Sequence, residues 1–161
     1  MKRFFILTAL LFVVIFLNAQ SIEMIDGKWI SLLKQNKSDT IYVVNFWATW
    51  CKPCMEELPA FEKINQFYKN KKVKVILVSN DFKKQIETRL KPFIVKHQLK
   101  NKIYFMNESN PNNWINEVAK SWSGAIPATL IICGKKNTIS FHEGETTFEE
   151  LDKIIKPLTE K

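Results

Sequence analysis

The run IYVVNFW at positions 41–47 has β-branched and aromatic side chains and only one strongly polar residue, Asn45. A strand that shows no alternation of polar and apolar residues is buried on both faces, so it belongs inside a sheet with helices on either side. VKVILVSN, at 73–80, has the same character. Between them Met55, Leu58, Phe61, Ile64 and Phe67 recur every three residues among Lys and Glu, which predicts a helix from Lys52 to about Asn70, kinked at Pro59. Two buried strands joined by a helix require a crossover and parallel pairing.

The remaining elements extend this frame. GKWISLLKQNK predicts a short helix with Trp29, Leu32 and Leu33 on one side. A second helix is expected from Phe82 to about Leu99, broken or restarted at Pro92, and KIYFM predicts a short strand. NPNNWINEVAKSWS leads into a helix carrying Trp114, Ile115, Val118 and Trp122. PATLIIC and TISFH, joined by the turn GKKN, form an antiparallel hairpin. A last helix, capped by Thr146 or Thr147, turns Leu151, Ile154 and Ile155 inward. The chain is therefore α/β, with a central mixed β-sheet flanked by helices on both faces.

The N-terminus reads MKRFFILTALLFVVIFLNAQS. Lys2 and Arg3 precede an apolar run from Phe4 to Leu17, too short to span a bilayer, and Ala19 offers a small residue for cleavage. Residues 1–19 are expected to be a signal peptide and 20–161 one domain, exported to the periplasm. An uncleaved membrane anchor is the alternative. With 46% hydrophobic and 25% charged residues, the chain has enough apolar material for one core. The net charge of +8 comes from scattered lysines, among them Lys69, Lys83 and Lys135, which suits a solvated surface and not a nucleic-acid site.

Three cysteines, Cys51, Cys54 and Cys133, are too few for a disulfide framework and cannot all pair within the chain. A metal site would need further ligands, and His97 and His142 stand in unrelated stretches. Cys51 closes a strand and opens a helix, where free N–H groups and the helix dipole favour a thiolate. Lys52 adds positive charge beside it, and Pro53 suits a first helical turn, so the Cys51 thiol is expected below its ordinary pKa. Cys54 lies one turn on, close enough to bridge. As a staple, so small a ring is worth only about 2 kcal/mol, against about 3 kcal/mol for a fifteen-residue loop. Redox chemistry explains the pair better than a structural clasp does.

Taken in order, the strand, FWATWCKPC, the proline-containing helix and the later IPATLII resemble the thioredoxin fold. More narrowly, they are similar to the exported thioredoxin-like disulfide reductases of the TlpA/ResA type, over about Thr40 to Pro157. That resemblance implies an exposed nucleophile at Cys51, a resolving cysteine at Cys54 and a cis peptide before Pro127, where the backbone at Ile126 would pair with an incoming peptide. It also implies that Glu57 tunes Cys54 and relays its proton, since Asn45 stands where cytosolic thioredoxins have a titrating aspartate. Trp50 is expected to flank Cys51 and form a docking surface with Ala125 and Ile126, whereas Trp47 and Cys133 read as core. The expected substrates are disulfide-containing proteins, apocytochromes among them. Electrons would come from a membrane thiol carrier, with no cofactor beyond the Cys51–Cys54 pair, and the protein is expected to be a monomer.

Three rival readings use the same residues. A disulfide-forming oxidase or isomerase would run the chemistry in reverse, but such enzymes often carry a histidine between the cysteines and a large helical insertion, both absent here. A peroxidase would have a hydroxyl three residues before its reactive cysteine, where this chain has Ala48, and a proline upstream. A binding or chaperone module would keep the fold without turnover.

Overall fold

The computed structural model describes residues 22–160; the expected signal segment and cleavage point lie outside the described residues. One sheet of six strands runs in the order β1-β4-β3-β2-β5-β6. Its strands are β1 (Glu23–Ile25), β2 (Ile41–Trp47), β3 (Val73–Ser79), β4 (Lys102–Met106), β5 (Ala128–Cys133) and β6 (Thr138–Glu143). β2 pairs parallel with β3 and antiparallel with β5, and β5–β6 is the expected hairpin. β1 is an addition: three residues that pair parallel with β4.

β2 shows why a strand of this composition must be central. Ile41, Val43 and Trp47 enter the core beneath α2 (Lys52–Phe67), α3 (Lys91–Lys96) and α5 (Phe148–Thr159). Val44 and Phe46 enter a second core beneath α1 (Gly27–Gln35) and α4 (Ile115–Val118). The period of two along a strand places Asn45 on the same face as Val43 and Trp47, towards α2.

Several local expectations shift. In α1 the buried residues are Gly27, Ile30 and Leu33, whereas Leu32 is 57% exposed. The inward stripe is thus one residue out of phase with the expected one, and Trp29 packs half-buried on Tyr104. α2 continues through Pro59 as one helix and ends at Phe67, three residues before the expected end. Pro59 lies on the exposed side, and its missing N–H leaves the Met55 carbonyl without its helical donor. Phe67 is 65% exposed and packs edge-on against Tyr68 and Phe148 at the surface. The helix expected over 82–99 is three pieces: a 3₁₀ turn at Lys83–Gln85, a π turn at Ile86–Leu90, and α3, restarted with Pro92 in its first turn. α4 has only four residues, because Ala119 turns extended (φ −156°, ψ 136°). Trp122 therefore leaves the helix, though it still packs on Phe46 with ring centroids 4.9 Å apart.

The cap of α5 is Thr147, not Thr146. Glu150 N donates to Thr147 Oγ1 (3.2 Å), and Thr147 N donates back to Glu150 Oε2 (2.8 Å). Thr147→Ala should lower the unfolding free energy by about 1 kcal/mol. In urea this would show as an earlier midpoint with an unchanged slope.

Candidate active site

Cys51 is the N-cap of α2 and is bonded to Cys54, with a Cα–Cα distance of 5.3 Å. Lys52 and Pro53 fill the first turn, where the missing N–H of Pro53 has no helical partner to lose. Cys54 N points at Cys51 Sγ from 3.3 Å, so a helical N–H is aimed at this sulfur. Cys51 is 6% exposed and Cys54 is fully buried. Cys51 is thus more enclosed than the resemblance implies. The Lys52 side chain is 82% exposed and lies 3.7 Å from the Glu56 carboxylate, so solvent and Glu56 screen its charge from the sulfur.

A second loop meets the sulfur. The Ile126–Pro127 peptide is cis, and the Ile126 carbonyl oxygen lies 3.7 Å from Cys51 Sγ. The flanking carbonyls are occupied: Trp122 Nε1 donates to Ala125 O (2.7 Å) and Gly144 N donates to Pro127 O (2.9 Å). Ile126 therefore presents its backbone towards the cysteine. Around it Ala125 is exposed, Ile126 half-buried, and Trp50 47% exposed, while Trp47 is fully buried.

Glu57 stands one turn beyond Cys54 on the inner side of α2 and is only 4% exposed, whereas Glu56 faces solvent. Asn45 Nδ2 donates to Glu57 Oε1 (2.6 Å), and Thr146 N donates to Oε2 (2.8 Å). Burial pushes the Glu57 carboxyl up to about 7, with a smaller push from Glu145. The two hydrogen bonds oppose the rise without cancelling it. Asn45 Oδ1 is buried and has no hydrogen-bond partner among the described residues. The Asn45 and Thr146 contacts were missed because they join positions 12 and 89 residues apart from Glu57, which no local pattern announces.

Also unanticipated is a cluster under the cysteine turn. Asp81, 5% exposed, accepts from Thr49 N with both oxygens (3.2 Å each), from Thr49 Oγ1 (2.6 Å) and from Ser79 Oγ (2.9 Å). Arg89 Nη2 donates to Thr49 O (3.3 Å). Cys133 is buried and unbonded at the far end of β5, His97 stacks on Phe93 at 4.1 Å, and His142 contacts Glu145 O; none of them joins the cysteine pair.

Two cysteines held in bonding range at a helix N-terminus, beside a cis-proline loop and a buried acid, are equipped for thiol–disulfide exchange. The AhpC/TSA family matches residues 17–141. The chain belongs to that family. It is 29% identical over 136 residues to the thiol-disulfide oxidoreductase ResA of Bacillus thuringiensis, covering 84% of this chain and 72% of the relative. The structure of StoA from Bacillus subtilis superposes with a TM-score of 0.55 at 25% identity, over 78% of this chain and 85% of that one. The fold is also that of a thioredoxin family protein from Chlorobium tepidum, described as a thiol:disulfide interchange protein (TM-score 0.60, 19% identity, 81% of this chain and 85% of that chain). With its cysteine pair, the chain is a thiol–disulfide oxidoreductase of thioredoxin fold, similar to ResA.

Proposed function

We propose that this protein is an exported reductase of protein disulfides, with Cys51 as nucleophile, Cys54 as resolving thiol and Glu57 as proton acceptor. The observation that carries the reading is the Cys51–Cys54 bond at the α2 N-terminus, facing the Ile126 carbonyl. In the dithiol form, helix N–H groups favour a Cys51 thiolate. It attacks a substrate disulfide: a Cys51–substrate bond forms, the substrate S–S bond breaks, and the freed thiolate takes a proton. Cys54 then passes its proton to Glu57 and attacks Cys51 Sγ, releasing the second substrate thiolate. The substrate gains two electrons, and the enzyme is left as its disulfide. A membrane dithiol carrier would restore it, and the exchange runs on sulfur alone.

The substrate chain would lie across Trp50, Lys52, Pro53, Ala125 and Pro127, pairing with the backbone at Ile126. Apocytochromes, whose haem-attaching cysteines must stay reduced, are substrates of suitable chemistry. The peroxidase reading is weaker, because Ala48, fully buried three residues before Cys51, carries no hydroxyl. Direction is set by the reduction potential of the couple. Equilibration with glutathione should give a value near −270 mV, as for thioredoxin, and a value near −120 mV would make the protein an oxidase instead.

A further inference from the structure

Asp81 is a carboxylate shut away from water, and it forms no ion pair among the described residues. Such burial is costly unless the group's hydrogen bonds do something the fold needs. One donor is Ser79, at the end of its own strand, and all the others belong to Thr49. Thr49 is the second residue of the turn that Cys51 N closes onto Ala48 O (3.2 Å), with Trp50 and Cys51 next in the chain. Arg89 grips the other side of the same residue through its carbonyl. Both polar groups of the Thr49 backbone, and its hydroxyl, are thus tied to the loop and π turn that follow β3.

We propose that Asp81, assisted by Arg89, is the positioning residue of the active-site turn, fixing through Thr49 where the Cys51 sulfur sits over the helix N-terminus. The proposal rests on the thiol–disulfide reading of the site and adds to it the group that holds the nucleophile in place. Without the clamp, the turn keeps its closing bond and its joins to β2 and α2, but nothing holds Thr49 between them, and the sulfur drifts from the N–H groups that favour its anion.

Two substitutions at Thr49 separate this role from simple packing. Thr49→Val keeps the shape but removes the hydroxyl donor, and Thr49→Ser removes a methyl but keeps the donor. If Thr49 matters for packing, serine is the damaging change; if it matters as the handle of Asp81, valine is. The readout is the rate of Cys51 alkylation by iodoacetamide at pH 6 in the reduced protein, with insulin turnover alongside. Thr49→Val should slow alkylation about fivefold, within the range a helix N-terminus confers on an anion. Thr49→Ser should stay within twofold of wild type. Equal rates in the valine variant and wild type, or a larger loss with serine, would overturn the proposal. Should the valine variant fail to fold, Arg89→Lys keeps the charge and withdraws the guanidinium from the Thr49 carbonyl. It should also slow alkylation, and an unchanged rate would overturn the clamp. A wild-type protein that does not reduce insulin refutes the functional reading instead, since alkylation needs no substrate.

Discussion

Cys54→Ser should convert the reduced protein into a trap that stays covalently joined to its substrate. Cys51 still attacks the substrate disulfide, but no thiol remains at position 54 to break the resulting bond, and insulin turnover falls by on the order of a thousandfold. Cys51→Ser should lose turnover to the same extent and form no adduct. The difference follows from placement: Cys51 is the N-cap residue facing the Ile126 carbonyl, whereas Cys54 is fully buried behind it. Non-reducing electrophoresis with mass spectrometry distinguishes the two variants. An adduct through Cys54 in the Cys51→Ser protein would reverse the assigned roles. Unchanged turnover in that protein would remove the cysteine pair from the chemistry altogether.

What could be read from the sequence was local or periodic. The burial of β2 on both faces follows from IYVVNFW alone, and the placement of Cys51 at a helix N-terminus follows from the adjacency of that strand and CKPC. What could not be read depends on contacts distant in the chain or on small shifts of phase. In a nine-residue helix, exchanging Leu32 for Ile30 as the inward residue is a rotation that four apolar side chains do not decide, and packing against the sheet decides it. β1 exists because β4 offers it an edge. The segment 83–96 has helical spacing, but Asp81 just before it and Arg89 within it are bonded to Thr49, and the backbone there is 3₁₀ and π before it is α. The site divides in the same way. Its sulfurs were legible, whereas Asp81 beneath the turn, and the contacts of Asn45 and Thr146 with Glu57, come from segments remote in the chain.

Glu57→Gln should make the protein more stable at alkaline pH and a poorer catalyst above about pH 7, where Glu57 is free to take a proton. The Glu57 carboxyl has its pKa raised from 4.5 to about 7 by burial, so between those values the folded chain holds a proton that the unfolded chain releases. The stability this gives is complete below about pH 4.5 and is lost as pH rises through 7, leaving a charged Glu57 that costs on the order of 3 kcal/mol above pH 8. Glutamine resembles the protonated form. Its oxygen keeps the bond from Thr146 N, and its amide has an acceptor waiting if Asn45 rotates to offer Oδ1, now unpartnered. Urea midpoints of wild type and variant should therefore coincide near pH 4.5 and diverge by pH 8 in the variant's favour. Glutamine takes no proton from Cys54, so release of substrate from the mixed disulfide should slow by about a hundredfold, and the inflection of that rate near pH 7 should vanish. A variant that loses stability equally at pH 5 and pH 8 while resolving the mixed disulfide at the wild-type rate would show that Glu57 only braces α2 against the loop before α5.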